Sequence, residues 1–335
     1  MAVSQLVLVI GDACVDLIVR LPGQGDEGLH RPEPVLSRGG TGANTAVALA
    51  RLDVPVALLG TVGDDGYGRF IAHDLAREGV ETTHVTIQRE TFTMVVLAVI
   101  DRDGERTLFG WPRRGAAHTA LTPQQVDAQV IMQASWVHTT GMCLVEQPVR
   151  AAVLRGMALA RAASTPVSLD LNLRGGVVDG ALPRDFADAL WSAIALADYV
   201  FGSAQDEIAY LTPGGAVEEA LRLMTDGGRT VIARSGAASA MIVSPDGRAT
   251  VPAFRVPVVD TLGAGDAFDA GFIAARLDGK SSEEAARWGN AVAALKIGRR
   301  GHEAPSRSDA EALLQGRIAC GMSPQYAPRR EGTAP

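Results

Sequence analysis

Residues 260–272 read Asp260-Thr-Leu-Gly-Ala-Gly-Asp-Ala-Phe-Asp-Ala-Gly-Phe272, a glycine-bearing turn that carries a carboxylate into the start of a helix. Gly263 and Gly265 allow the chain to turn with its backbone N–H groups converging on one point. The segment 267–277 has few helix breakers and aims its positive dipole end at that same point. Gly263, Ala264 and Gly265 therefore read as a cradle for a phosphate or an oxyanion. Asp266 lies inside it, and a carboxylate placed where phosphate oxygens bind is costly unless it does a job such as taking the proton of an attacking hydroxyl. A Gly-Ala-Gly turn before Asp also reads as an ordinary helix start, so phosphoryl transfer needs support from the rest of the chain.

On either side of this turn, short β-rich apolar runs bounded by Gly or Pro alternate with Ala/Leu/Arg-rich stretches. Residues 6–10, 56–60, 136–138, 167–170, 199–202 and 230–233 read as strands. Residues 44–52, 67–78, 148–163, 186–196, 218–225, 267–277, 282–297 and 309–319 read as helices. That alternation predicts an α/β fold, a doubly wound and mainly parallel sheet with helices on both faces. Residues 14–36 and 91–109 break the pattern, with β-type runs and little helix between them, and are expected to pair as a small separate sheet. The expectation is one domain over 1–322. The tail, 323–335, is rich in Pro, Arg and Gly and reads as disordered.

Composition narrows the function. With 335 residues, 47% hydrophobic and 5% aromatic, the chain has material for a core of Ala, Val and Leu. A net charge of −7 argues against a nucleic-acid or anionic-membrane surface. Cys14, Cys143 and Cys320 are far apart and show no CxxC spacing, which fits a reducing cytoplasm. No apolar run approaches the roughly 18 residues of a membrane span. Small-molecule chemistry remains.

Three further stretches carry polar groups to plausible sites. In Arg38-Gly39-Gly40-Thr41-Gly42-Ala43-Asn44-Thr45, the pair Gly40 and Gly42 begins like a dinucleotide fingerprint, but Thr45 stands where the third Gly belongs and the cluster does not follow the first strand. Gly11-Asp-Ala-Cys-Val-Asp16 follows that first strand, at the sheet edge where doubly wound folds bind ligands; Asp12 reads as a turn residue and Asp16 as a ligand contact. In Ser168-Leu-Asp-Leu-Asn-Leu-Arg174, alternate polar residues share one face at a strand's end, and Arg174 could hold a phosphate or a carboxylate. Gly279-Lys280-Ser281 looks like the end of a P-loop, yet Ala274 occupies the leading Gly position.

Asp260-Thr261-x-Gly263-Ala264-Gly265-Asp266 matches, position by position, the signature of ribokinase-like (PfkB) carbohydrate kinases, and Gly39, Gly40 and Asn44 meet the spacing of that family's second motif. The resemblance runs from about residue 7 to 305 and is closest to the fructokinase and 2-keto-3-deoxygluconate kinase branch. It implies that the 263–265 turn holds the transferred phosphoryl group and that Asp266 is the catalytic base. It implies a sugar bound by Asp16, Gly39, Gly40 and Asn44, with Arg113 and Arg174 as anion contacts and Trp111 as a hydrophobic wall. ATP is expected near Arg234, Ser235, Gly236 and Asn290. The family's Asn-x-x-Glu metal segment falls at 201–207 without its Asn, leaving Asp206 or Glu207 for Mg2+. Asp260, with carbonyls near Gly301, matches the area where relatives bind a monovalent cation such as K+, here beside Arg299 and Arg300.

The implied activity is ATP-dependent phosphorylation of a hydroxyl on a small sugar or sugar acid, with Arg113, Arg114 and Arg174 favouring an acid. A nucleoside kinase of the same fold and a non-catalytic sugar- or nucleotide-sensing protein are the alternatives. The resemblance also makes the small sheet a lid over the sugar, packed against a second subunit. A cytoplasmic homodimer that touches neither nucleic acid nor membrane is expected.

Overall fold

In β1 (Val7–Ile10), Val7 and Val9 enter one hydrophobic cluster while Leu8 and Ile10 enter another, so a single strand feeds two cores by simple alternation. This is the signature of a sheet buried on both faces. The structure, a computed structural model, describes residues 5–21, 33–100, 106–112, 114–173, 176–178, 181–299 and 303–317. The other strands among them are β2 (Cys14–Arg20), β3 (Val35–Gly39), β4 (Val56–Gly63), β5 (Val85–Gln88), β6 (Val95–Ile100), β7 (Arg106–Trp111), β8 (Trp136–Thr140), β9 (Val167–Asp170), β10 (Tyr199–Ser203), β11 (Thr230–Arg234), β12 (Ser239–Ser244) and β13 (Gly247–Pro252). The helices are α1 (Thr41–Arg51), α2 (Gly66–Arg77), α3 (Ala128–Gln133), α4 (Val149–Ala162), α5 (Arg184–Leu196), α6 (Val217–Thr225), α7 (Ala264–Leu277), α8 (Ser282–Ile297) and α9 (Arg307–Leu314).

The large sheet has the order β13-β12-β11-β10-β9-β8-β1-β4-β5. All its pairings are parallel except β11 with β12 and β12 with β13. One face is covered by α3 to α6 over Leu144, Val153, Leu190 and Met224, the other by α1, α2, α7 and α8 over Leu49, Ile71, Phe268 and Phe272. The chain leaves β1 towards β4 and β5 on one side and returns to β8 and its successors on the other. The strand order thus reverses at β1, where doubly wound sheets open a crevice at the strands' C-terminal ends.

The predicted alternation is present, with helix and strand ends displaced by a few residues. Four elements were not anticipated: α3, β5, and the hairpin of β12 and β13. That hairpin had a readable marker in Pro245-Asp246-Gly247, with Gly247 at φ 135°. The two segments that broke the alternation form the small sheet β3-β2-β6-β7, in which β2 pairs with β3 antiparallel and with β6 parallel. Lys280-Ser281 belongs to no phosphate loop: Ser281 and Glu284 cap α8 reciprocally, each side chain accepting from the other's backbone N–H. The tail 323–335 lies outside the described residues.

Candidate active site

Two helix N-termini meet at the crevice. The first, that of α1, has no side-chain cap of its own at Gly40 and is held from across the sheet by Asp12, at the end of β1. Asp12 Oδ1 accepts from Thr41 Oγ1 at 2.8 Å and from the Gly42 N–H at 3.1 Å, while Oδ2 accepts from the Thr41 N–H at 3.1 Å. Fixed this way, the first turn of α1 presents Asn44. The second N-terminus belongs to α7 and starts at Gly263, whose φ of 73° lies in the left-handed region that suits glycine. It carries no side-chain cap either. Of its first-turn N–H groups, that of Ala264 donates to Thr261 O at 3.3 Å, while those of Gly265 and Asp266 come too early in the helix for a carbonyl partner within it.

Asn44 Nδ2 donates to Asp266 Oδ2 at 3.0 Å, joining the two turns across 222 residues of sequence. Asp266 is buried, only 6% exposed. On the other side of α1, Asp16 on β2 presses its carboxylate against Gly39 on β3, and a methyl group at residue 39 would collide with it. That close approach, and not turn flexibility, is why residue 39 has no side chain. Burial, reinforced by the charge of Asp12 and opposed by Arg38, pushes the Asp16 carboxyl up to about 7. Between these acids lies Cys14, its thiol raised first by burial and then by Asp16, Asp12 and Asp266, so it stays a thiol. Arg38 itself is buried and paired with Asp74 on α2.

Other expected contacts prove to be engaged elsewhere. Arg234 stands at the end of β11. It lies beneath the turn, against Gly265, and donates to Asp170 Oδ1 at 2.5 Å and to Asp269 Oδ1 at 2.9 Å, with Glu207 Oε2 at 3.7 Å. Burial alone would lower its pKa, but these three carboxylates raise it well above the ordinary value. Asp269 and Glu207 are in turn raised, chiefly by burial. Ser235 and Gly236 remain exposed in the tight β11–β12 turn beside α7, where Ser235 N donates to Ser239 O at 2.8 Å. Asn290 spends both amide hydrogens on β13, donating to Val251 O and Pro252 O at 3.1 Å each, so its Nδ2 braces α8 to the sheet.

The acidic residues expected at the metal split in the same way. Glu207 accepts from Ser203 N at 2.7 Å and Leu173 N at 3.3 Å and is tied into the ends of β9 and β10. Asp206 is exposed and accepts from Ser203 Oγ at 2.8 Å. Among the described residues no three His, Cys, Asp or Glu side chains converge on a metal position. Asp260 is buried and turns its carboxylate onto Leu262 N at 3.0 Å; its own N–H donates to Ile297 O at 3.1 Å. Arg113, Arg174 and Gly301 lie outside the described residues. Arg114 is exposed, and Trp111, 57% exposed, packs its ring against Phe92 with centroids 5.5 Å apart.

Two residues here were not picked out from the sequence. Asp269 stands in the quoted stretch, one helical turn after Asp266, and that spacing was the available signal. Lys296, in the last turn of α8, had no signal at all. It is 5% exposed, with Cε near the point where a side chain on Gly263 would begin.

Comparison with known proteins bears on the same architecture. An ATP-dependent ribose-1-phosphate kinase of Halopiger xanaduensis is 35% identical over 296 residues, 88% of this chain and 92% of that protein. Fructokinase-1 of Oryza sativa subsp. japonica is 30% identical over 308 residues, 89% and 93%. An aminoimidazole riboside kinase of Salmonella typhimurium is 32% identical over 274 residues, 82% and 81%. Among solved structures, fructokinase with bound ATP from Xylella fastidiosa superposes with a TM-score of 0.82 at 25% identity, covering 94% of this chain and 99% of that one. A chain from E. coli solved in complex with ATP and Mg2+ gives 0.80 at 26% identity, covering 92% and 99%. The ribokinase-like architecture is therefore common to this chain and these structures. Residues 4–309 match the description "pfkB family carbohydrate kinase", and with relatives above 30% identity along most of its length this chain belongs to the pfkB family of carbohydrate kinases.

Proposed function

We propose that the protein transfers the γ-phosphoryl group of ATP to a hydroxyl of a small sugar or sugar acid, with Asp266 as the base. The observation that carries this reading is the Asn44–Asp266 hydrogen bond, which holds a buried carboxylate at the open first turn of α7. A sugar hydroxyl seated between Asp16, Gly39 and Asn44 faces Asp266, which takes its proton as the oxygen attacks. Charge accumulating on the transferring group faces the first-turn N–H groups and the positive end of α7, an electrostatic contribution that costs no reorganisation. ATP would lie along the α7 turn and the exposed β11–β12 turn of Ser235 and Gly236. Asp206, the accessible carboxylate on that side, would hold Mg2+ arriving with the nucleotide, and the ion would supply positive charge against the phosphates. Arg234 and Asn290 support the site from below, without touching nucleotide.

The lid sheet closes over the sugar and is proposed to pair with a second copy of the chain. A nucleoside substrate is the second reading, favoured by the aminoimidazole riboside kinase relative. An ADP-release screen over neutral sugars, sugar acids, sugar phosphates and nucleosides tests both. Turnover of a sugar or sugar acid supports the proposal, efficient turnover of nucleosides alone replaces it with the second reading, and no ADP release from any of them refutes catalysis.

A further inference from the structure

α7 and α8 run antiparallel and cross at near backbone contact, with Gly271 facing Gly289 and Val292. The last turn of α8 is thereby brought beside the first turn of α7, and Lys296 extends from one towards the other. Around the point where a side chain on Gly263 would begin, Lys296 Cε lies at 3.6 Å, Asp266 Oδ2 at 3.7 Å and Asn44 Nδ2 at 3.9 Å. The three groups thus surround one spot beside the Gly263 turn. Lys296, Asn44 and Gly263 line, with Arg38, Ala48, Ala267 and Ala304, a nook of about 10 Å3, room for a single water. The ammonium is one bond beyond Cε.

The neighbourhood of Lys296 is also tied to Asp260. Val259 N and Asp260 N both donate to Ile297 O, at 2.8 and 3.1 Å, so the chain entering the cradle is fastened to the residue next to Lys296. A monovalent cation seated against Asp260 would share this corner with a buried ammonium, and like charges at such separations disfavour each other. Among the described residues, this corner does not suit an exchangeable ion. It does suit a permanent one.

We infer that Lys296 is the built-in cation of the phosphoryl-transfer cradle: its ammonium supplies, from within the chain, the positive charge at the Gly263 turn that makes an added monovalent cation unnecessary. The inference rests on the kinase reading above. Lys296 acts as a positioning residue, keeping the turn and Asp266 in register and adding fixed positive potential where charge develops.

The test compares the wild type, Lys296→Met and Lys296→Arg on the substrate found by the screen, at constant ionic strength in potassium chloride or tetramethylammonium chloride. The wild-type rate is expected to agree within about twofold between the two salts, and Lys296→Met to lose at least about tenfold in kcat while the sugar KM moves by less than about threefold. Part of that loss should return in potassium, and Lys296→Arg should restore most of it. ADP affinity, measured by calorimetry, should weaken in Lys296→Met, an outcome independent of turnover. Wild-type activation by potassium of about tenfold or more, or a Lys296→Met enzyme within about twofold of the parent, overturns the inference. If Lys296→Met does not fold, the wild-type salt comparison decides. If no substrate is phosphorylated, the kinase reading has failed, and Lys296 is judged by ADP affinity in the two salts and the two variants.

Discussion

Asp266 and Asp16 are both nearly buried carboxylates on the walls of one crevice, yet their surroundings suit them to different tasks. Asp266 receives an amide hydrogen from Asn44 and faces the open end of α7. Asp266→Asn should keep its circular dichroism spectrum and slow turnover by at least about a hundredfold, the lower range for a lost general base. ADP affinity should hold level or rise, because repulsion towards the phosphates is relieved. Activity within a few-fold of the parent would take Asp266 out of the mechanism. Asp16, raised to about 7 by burial and Asp12, is neutral below that pH and charged above it. The charged form accepts substrate hydroxyls better, so the sugar KM should climb as pH falls through about 7, and Asp16→Asn should flatten that limb. The stability effect has the opposite sign. The folded state keeps a proton that the unfolded chain releases near its ordinary pKa, so wild-type melting temperature should fall relative to Asp16→Asn as pH rises from about 5 to 8. Both aspartates were legible because each sits in a short motif whose spacing is local. The collision that keeps residue 39 a glycine was not, since it arises between two strands.

Arg234 shows how elements constrain one another. Asp170 comes from β9, Glu207 from the segment after β10 and Asp269 from α7, and one guanidinium lies within ion-pair distance of all three. Removing it leaves buried carboxylates facing each other, so Arg234→Met should destabilise the fold by about 3–5 kcal/mol, the range for breaking a buried ion pair. Urea unfolding followed by tryptophan fluorescence measures this, and a midpoint unchanged from the wild type would rule the role out. Read from the chain, Arg234 follows an apolar strand and precedes a turn, which fits a phosphate contact equally well. Strand periodicity tells which residues share a face, but not which carboxylates from other elements will occupy the space in front of them. Asn290 is the same case, a helical amide whose partners on β13 belong to a hairpin that the alternation pattern did not disclose.

In the lid, rows of apolar side chains run across all four strands on both faces: Leu36, Leu17, Leu97 and Phe109 in one register, Val35, Ile18, Ala98 and Leu108 in the next. Val35, Leu108 and Phe109 are each more than half exposed. A thin sheet with apolar residues on both faces and open edges at β3 and β7 needs cover beyond its own domain. Light scattering at micromolar concentration should give twice the chain mass, and Phe109→Glu should shift it towards the monomer. A monomeric wild type would refute the lid interface. The α/β architecture, the separate small sheet and the glycine turn that opens α7 could all be read along the chain, because alternation, glycine turns and motif spacing are properties of neighbouring residues. Folding was needed to bring Asn44 to Asp266, to turn Arg234 and Glu207 inwards, and to set Lys296 beside Gly263. Those are meetings between groups far apart in sequence, settled by how helices cross and strands order themselves, and no local pattern encodes them.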